Sequence, residues 1–293
     1  VTISDSEGCE IAETFIISEP ELLEGSVLGV TEILCNGTSS GEASVSASGG
    51  TSPYAYSWSN DPSGIPVLGL GPVLSNLGDG TYFVTVSDGN GCIAENSVEV
   101  IVAPPPPPIS ITLSALIYGN GFNTTCFDSS DGQLTANVSG GVSEYDLQWF
   151  DDTNNPIGNE QTITGLDCGL YTLSVIDQNG CTETGSIQVT CPTQITADLS
   201  VTPNSCSDLL SEGAIDITPS GGSGIGYTFS WQDQDGVDYG VNEDLINLSS
   251  GTYTVTITDS DGCFRTISTQ VTNEESVVIT VIDLDNNSCF ESC

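Results

Sequence analysis

Residues 250–263 of the 293-residue chain read SGTYTVTITDSDGC, and the fold can be predicted from the pattern of this segment. Tyr253, Val255 and Ile257 alternate with threonines, so apolar and polar side chains point to opposite faces, as in a half-buried β-strand. The residues from Asp259 to Gly262 are typical of a hairpin turn, because Asp or Asn followed by Gly readily adopts positive φ angles. The stretch therefore predicts one strand and the turn into the next.

The same pattern occurs twice more, as GDGTYFVTVSDGNGC at 78–92 and CGLYTLSVIDQNGC at 168–181. Upstream of each copy come a cysteine, a Gly-led strand, a Gly-Gly pair and an aromatic strand ending in Trp. Such self-similarity is the signature of a tandem array. We predict five segments: 1–19, the end of a preceding repeat; three complete β-sandwich repeats at 20–104, 105–192 and 193–273; and 274–293, the start of a further repeat.

The aromatic strands extend the alternation to a second part of each copy. In the first copy Tyr54, Tyr56 and Trp58 share one face, and the later copies place Trp149 and Trp231 at the same position. Strands with one apolar and one polar face predict two antiparallel sheets packed together. The fold class is therefore all-β, with tandem seven-strand sandwiches of immunoglobulin or PKD type and almost no helix. Short joints, and the stiff run of prolines at 104–108, predict an extended rod.

The charge of the chain excludes many functions. It has 40 Asp and Glu residues against one Arg, with no Lys or His, and a formal net charge of −39. Catalysis by His or Lys is therefore excluded, and binding to nucleic acid is disfavoured by repulsion from the phosphates. No apolar run approaches the ~20 residues of a membrane-spanning helix. We expect a protein that is not an enzyme, binds no nucleic acid and does not insert into a membrane.

Eleven cysteines without any His indicate disulfides and an extracytoplasmic location. The simplest expectation is one bond inside each complete copy, joining Cys35 to Cys92, Cys126 to Cys181 and Cys206 to Cys263. A geometric objection keeps an alternative open. In such a sandwich the two cysteines lie at opposite ends, about 20 Å apart, whereas a disulfide needs Cα atoms within ~7 Å. Bonds between neighbouring copies, such as Cys126 to Cys263, would avoid this. Cys168 and Cys191 are predicted to form an additional cross-strand bond.

Two further patterns have both a binding and a structural interpretation. Asp259 with Asp261, and Asp233 with Asp235, offer oxygen ligands for calcium, but hairpin chemistry explains them without a metal and the terminal Glu of an EF-hand is missing. We therefore expect no cofactor, with calcium as the one alternative. The row of Tyr and Trp side chains could stack on sugars, but its polar opposite face favours a place in the core.

The combined pattern of Cys, Gly-led strand, Gly-Gly, Tyr-x-x-x-Trp and L-x-x-G-x-Y-x-V-x-V-x-D-x-x-G-C resembles the SprB repeat, in the complete and the partial copies. The resemblance implies a tandem array in a cell-surface gliding adhesin of Bacteroidetes, exported by the type IX system. We therefore expect a non-enzymatic structural or adhesive segment of a secreted filament on a Gram-negative cell. Its expected partners are neighbouring repeats, surface polysaccharides or other cell-surface proteins. The alternatives are calcium- or glycan-binding modules, or the stalk of a secreted polysaccharide hydrolase.

Overall fold

The structure, a computed structural model, describes residues 1–16, 18–205, 211–222 and 226–274. Within these residues every regular element is a β-strand, which confirms the predicted all-β fold. None of the described residues form a helix with the length and apolar character needed to cross a membrane. The copy expected at 274–293 lies, apart from Glu274, outside the described residues.

The chain divides into two compact units, and the boundary between them runs through the middle module. One unit comprises Val1–Thr112, Asn137–Gln148 and Ser174–Gly185. The other comprises Leu113–Ala136, Trp149–Leu173 and Ser186–Cys293.

A short hairpin precedes the first complete module. Its strands, β1 (Thr2–Ser4) and β2 (Glu10–Ala12), pair antiparallel. Asp5 closes the turn, because its Oδ1 accepts hydrogen bonds from the backbone N–H groups of Glu7 and Cys9 at 2.9 and 3.0 Å.

The first complete module is a sandwich of seven strands. Its three-stranded sheet has the order β3-β4-β7 and its four-stranded sheet the order β6-β5-β8-β9. All these pairings are antiparallel. The strands are β3 (Glu24–Thr31), β4 (Gly41–Ser48), β5 (Ala55–Ser59), β6 (Val67–Leu70), β7 (Val73–Leu77), β8 (Gly80–Ser87) and β9 (Val98–Val102).

The middle and last modules repeat this strand order. Their three-stranded sheets are β10-β11-β14 and β17-β18-β21, and their four-stranded sheets are β13-β12-β15-β16 and β20-β19-β22-β23. The middle module has β10 (Ser110–Ala115), β11 (Gly132–Ser139), β12 (Asp146–Phe150), β13 (Pro156–Gly158), β14 (Thr162–Leu166), β15 (Gly169–Ile176) and β16 (Thr182–Val189). The last module has β17 (Thr193–Thr202), β18 (Gly213–Gly222), β19 (Thr228–Asp233), β20 (Asp238–Gly240), β21 (Leu245–Leu248), β22 (Gly251–Thr258) and β23 (Phe264–Val271).

The predicted alternation places the core between the two sheets of a module. On β22, Tyr253, Val255 and Ile257 are buried and belong to a cluster that also contains Ile215 and Ile217 from the opposing sheet. The first module has an equivalent cluster around Trp58. Burial of apolar area between facing sheets is therefore the main stabilising term of each module.

The aromatic row belongs to the core and not to a sugar-binding surface. Trp58, Trp149 and Trp231 have no exposed side-chain area. Each indole N–H still finds a partner, because Nε1 donates to the carbonyl oxygens of Gly71, Glu160 and Asn242 at 2.8, 3.0 and 3.0 Å. A completely buried indole cannot stack on a glycan.

The tyrosine of the L-x-x-G-x-Y motif forms the corner interaction that is typical of immunoglobulin-like sandwiches. The hydroxyl groups of Tyr82, Tyr171 and Tyr253 donate to the carbonyl oxygens four residues earlier at 3.1, 3.0 and 2.9 Å. Burial, together with the nearby Tyr239, raises the pKa of Tyr253 to about 12. The corner tyrosine is therefore a neutral hydrogen-bond donor at physiological pH.

We predict that Trp231→Ala lowers the free energy of unfolding of the last module by about 3–5 kcal/mol, the usual cost of truncating a buried Trp. Phe264→Ala is the matched control, since the Phe264 side chain is 71% exposed, and should change stability by at most about 0.5 kcal/mol. Urea unfolding followed by circular dichroism compares the two. Equal costs for both variants would contradict the core position of Trp231.

Candidate functional site at the module junctions

A buried aspartate begins the last hairpin of every complete module. In the first module, Oδ1 of Asp88 accepts hydrogen bonds from the backbone N–H groups of Asn90 and Cys92 at 3.0 and 2.8 Å. Its Oδ2 accepts a hydrogen bond from the N–H of Thr51 at 3.0 Å. Thr51 directly follows the Gly-Gly pair, so one carboxylate shapes the hairpin and also holds it against the Gly-Gly turn.

The later modules repeat this arrangement. Asp177 accepts from the N–H groups of Asn179, Cys181 and Val142 at 2.9, 2.8 and 2.9 Å. Oδ1 of Asp259 accepts from Asp261 and Cys263 at 3.1 and 2.9 Å. Each carboxylate therefore sets the position of the cysteine four residues later.

These hydrogen bonds favour the ionised carboxylate. The bond from Val142 is the largest influence on Asp177 and lowers its pKa below the ordinary value of 3.8, against an opposing effect of burial. Burial raises the pKa of Asp88, but the bonds from Cys92, Thr51 and Asn90 together outweigh it, so the pKa is also lowered. The two aspartates are therefore charged throughout the physiological range.

The Gly-Gly pair is required by close backbone packing. Gly49 and Gly50 have φ angles of 71° and 58°, in the left-handed region that glycine adopts without strain. A Cβ atom on Gly49 would lie 1.9 Å from the carbonyl oxygen of Leu22, in the segment that enters the module. The hydroxyl of Tyr54 donates to the Gly49 carbonyl at 2.6 Å. This turn thus brings the entering segment close to the last hairpin.

Two disulfides join the loop after the first strand of one module to the last hairpin of the next. Cys35 bonds to Cys181, and Cys126 bonds to Cys263, each with a Cα–Cα distance of 5.6 Å. Each bond lies within one compact unit.

The surroundings of the two bonds also correspond. The Sγ atom of the hairpin cysteine lies 3.3 Å from the carbonyl oxygen of the residue before the loop cysteine, which is Leu34 in the first junction and Thr125 in the second. In the first junction, Asn179 adds a hydrogen bond from Nδ2 to the Leu34 carbonyl at 3.1 Å.

The expectation of a bond inside each module is therefore wrong for Cys35, Cys126, Cys181 and Cys263. The first module shows why. A Cβ atom on Gly41, at the start of β4, would lie 3.1 Å from Val102, which pairs with Gly80 at the start of β8. The loop that carries Cys35 is thus at the end where β8 begins, whereas Cys92 follows the far end of this strand. Eight residues of strand separate these ends by roughly 23 Å, well beyond the ~7 Å of a disulfide.

The remaining cysteines have three different outcomes. Cys168 is bonded to Cys191, with a Cα–Cα distance of 5.8 Å, so the pair brackets β15 and β16. Cys92 is a free, exposed thiol, as is Cys9. Cys206, Cys289 and Cys293 lie outside the described residues.

Of the four calcium candidates, Asp233 and Asp259 serve as hairpin carboxylates, and Asp235 and Asp261 donate their backbone N–H groups to them. Oδ1 of Asp233 accepts hydrogen bonds from the N–H groups of Asp235 and Val237 at 2.9 Å each, as Asp259 does in its own turn. The register of β19 and β22 puts Asp233 and Asp259 at opposite ends of a strand pair. Among the residues that the structure describes, no three acidic or thiol side chains are grouped as metal ligands.

The contact between the Gly-Gly turn and the hairpin aspartate is not expected from the sequence pattern. Turn chemistry alone explains the aspartate, and a tight turn alone explains the glycines. Both features occur once in every complete copy, separated by 36 to 38 residues. This co-occurrence is the signal that could have revealed their contact.

Comparison with known families identifies the repeated unit. The SprB repeat family matches residues 29–63, 123–154 and 199–236, one segment in each complete module. The three matches confirm the resemblance to the SprB repeat. Each matched segment contains the loop cysteine, the Gly-Gly pair and the aromatic strand with its Trp, but ends before the last hairpin.

Several solved structures resemble the SprB modules at low identity. The three N-terminal domains of the bacteriophage RB49 outer capsid protein Hoc are 14% identical, with a TM-score of 0.34, over 87% of this chain and 98% of that chain. The N-terminal eight Ig domains of the Down syndrome cell adhesion molecule are 13% identical, with a TM-score of 0.37, over 94% of this chain and 39% of that chain. A tetra-tandem repeat from the extending region of a large adhesion protein is 15% identical, with a TM-score of 0.26, over 92% of this chain and 80% of that chain. A search of the curated proteins finds no match.

We predict that Asp177→Asn destabilises the protein at neutral pH and weakens the dependence of its stability on acid. Because the pKa of Asp177 is lowered on folding, its contribution is present above pH 3.8 and is lost as the pH falls through the lower value of the folded state. The amide retains only one acceptor oxygen for three N–H donors. Urea unfolding between neutral and acidic pH measures the effect.

The matched control is Asp152→Asn, which changes an exposed carboxylate in the same module. It should leave the pH profile unchanged. An Asp177→Asn profile parallel to that of the unmodified chain would contradict the role of this carboxylate.

We also predict that removing calcium leaves the melting temperature unchanged. The candidate carboxylates Asp233 and Asp259 already accept backbone N–H donors, so the turns do not depend on a cation. Dialysis against a chelator, followed by thermal unfolding, provides the measurement. A lower melting temperature that calcium restores and magnesium does not would instead establish a structural calcium site.

Proposed function

We propose that the chain is a non-enzymatic structural and adhesive segment of a long secreted filament on a Gram-negative cell, and that it carries tension along this filament. The filament would be an adhesin of the gliding type, exported by the type IX system. The observation that carries this proposal is the disulfide between neighbouring SprB modules, which occurs twice with the same polarity and the same surroundings.

The polarity of the bonds matters because it gives tension a covalent path that bypasses most of the first and the last module and passes through residues 126–181 of the middle one. The Cys35–Cys181 and Cys126–Cys263 bonds span 146 and 137 residues, and the two spans overlap. The shortest covalent route through the oxidised chain follows residues 1–35, 181–126 and 263–293. Tension applied along the array therefore cannot draw out the strands that lie off this route.

The surface charge is consistent with a filament at a cell surface. With a net charge of −39, neighbouring copies repel one another, which limits their lateral association. The aspartates at the hairpins are the exception, since they are buried and hydrogen-bonded within the modules. Surface polysaccharides and other cell-surface proteins are the proposed partners, with the neighbouring repeats themselves.

We predict that the oxidised chain, pulled by its two ends, extends over only about 120 residues, or roughly 400 Å at ~3.5 Å per residue. Of the disulfides that the structure describes, the Cys35→Ser/Cys126→Ser double variant retains the Cys168–Cys191 bond. It should extend over about 270 residues, or more than 900 Å. Single-molecule force spectroscopy measures both lengths.

Complete reduction of the unmodified chain is the second control and should give the full extension. An oxidised chain that extends as far as the double variant would contradict the proposal, because the junction bonds would then carry no tension.

A further inference from the structure

The hairpin that carries Cys92 has the same form as the two hairpins that receive a disulfide from a preceding module. The Asp88 N–H donates to the Cys92 carbonyl at 2.9 Å, as Asp177 and Asp259 donate to Cys181 and Cys263 at 3.0 and 2.9 Å. The carboxylate of Asp88 accepts from the Cys92 N–H at 2.8 Å, the same distance as in the Asp177 hairpin. The backbone therefore presents Cys92 as it presents the two bonded cysteines.

The surroundings of Cys92 differ in the strand that follows and in what covers the cysteine. β9 begins only at Val98, whereas β16 and β23 begin directly after Cys181 and Cys263. Cys263 is 7% exposed and Cys181 is half-buried, whereas Cys92 is an exposed, free thiol. Asn90 occupies the position of Asn179. The Nδ2 of Asn179 donates to the Leu34 carbonyl across the junction, whereas that of Asn90 donates to the Thr51 hydroxyl of its own module. The first module thus has the hairpin of a junction, but no loop cysteine of a preceding module is bonded to it.

The two observed junctions indicate which segment that loop comes from. In both, the partner is the loop cysteine of the module immediately before, Cys35 or Cys126. The hairpin that precedes the first module ends at Cys9. Its Asp5 carboxylate accepts the N–H groups of Glu7 and Cys9, as expected for the last hairpin of another such module.

We propose that Cys92 is the receiving cysteine of a third junction, bonded to the loop cysteine of the SprB module that precedes it in the array. The Asn90 side chain then donates to the carbonyl before that cysteine, as Asn179 does. This inference rests on the proposed function, since it extends the stapled array by one module.

Formation of this disulfide requires a two-electron oxidant. Two thiols lose two protons and two electrons as the S–S bond forms, and a disulfide-bearing oxidant accepts both and becomes a dithiol. The exposed Cys92 thiolate attacks a sulfur of the oxidant to form a mixed disulfide. The loop thiolate of the preceding module then attacks the Cys92 sulfur and releases the reduced oxidant.

The test is disulfide mapping of the full-length native protein. Free thiols are alkylated before cell lysis, and the unreduced protein is digested after Glu and analysed by mass spectrometry. We expect no alkylation at Cys92, and a peptide in which Cys92 is bonded to the loop cysteine of the preceding repeat. Alkylated Cys92, or Cys92 bonded to Cys9 or within its own module, would overturn the inference.

The Cys35–Cys181 and Cys126–Cys263 peptides are internal standards in the same digest. If they are present while Cys92 is alkylated, only this inference fails; if all the cysteines are alkylated, the proposed function fails as well. A Cys92→Ser variant of the full-length protein provides a second measurement. It should expose one additional alkylated cysteine, in the preceding repeat, and leave both standards bonded.

Discussion

The carboxylate that links the last hairpin to the Gly-Gly turn is the interaction on which each module end depends. Asp88 and Asp177 accept N–H donors from both segments, and a buried charge is tolerated only when such donors surround it. Alternation of side chains builds the sheets, but it does not determine how their ends are closed. The carboxylate does so, and it places the hairpin cysteine four residues later, where the preceding module can reach it.

A junction disulfide follows from this placement and from the length of a strand. The loop cysteine and the hairpin cysteine of one module lie at opposite ends of eight-residue strands such as β8, so they cannot bond to each other. In a tandem array, the hairpin end of one module faces the loop end of the module before it. The same two cysteines that are too far apart within a module are then close between modules, as the Cα–Cα distance of 5.6 Å at both junctions shows.

The features that could be predicted from the sequence are those that depend on local periodicity. The alternation of Tyr253, Val255 and Ile257 is sufficient to predict strands, a two-sheet core and buried tryptophans, because side-chain period and burial are local properties. The constant spacing of Cys35 and Cys92 was misleading, since any two residues of a repeat recur at constant spacing whether or not they touch. Only the strand-length argument pointed to the correct partner. The contact of Asp88 with Thr51 joins two turns 37 residues apart, and no local pattern encodes it.

A disulfide can transmit force between modules only if both of its ends are anchored, and at the Cys126–Cys263 junction an asparagine anchors the loop end. Oδ1 of Asn123, three residues before Cys126, accepts from the N–H and hydroxyl groups of Thr190 at 2.9 and 2.8 Å, and its Nδ2 donates to the Leu116 carbonyl at 2.8 Å. The loop is thus tied to the strand ends of its own module, and the hairpin is tied to the Gly-Gly turn of the next. Because neither Cys126 nor Cys263 lies on an unanchored segment, we expect tension at this junction to pass into the hydrogen-bonded sheets without first straightening a loop.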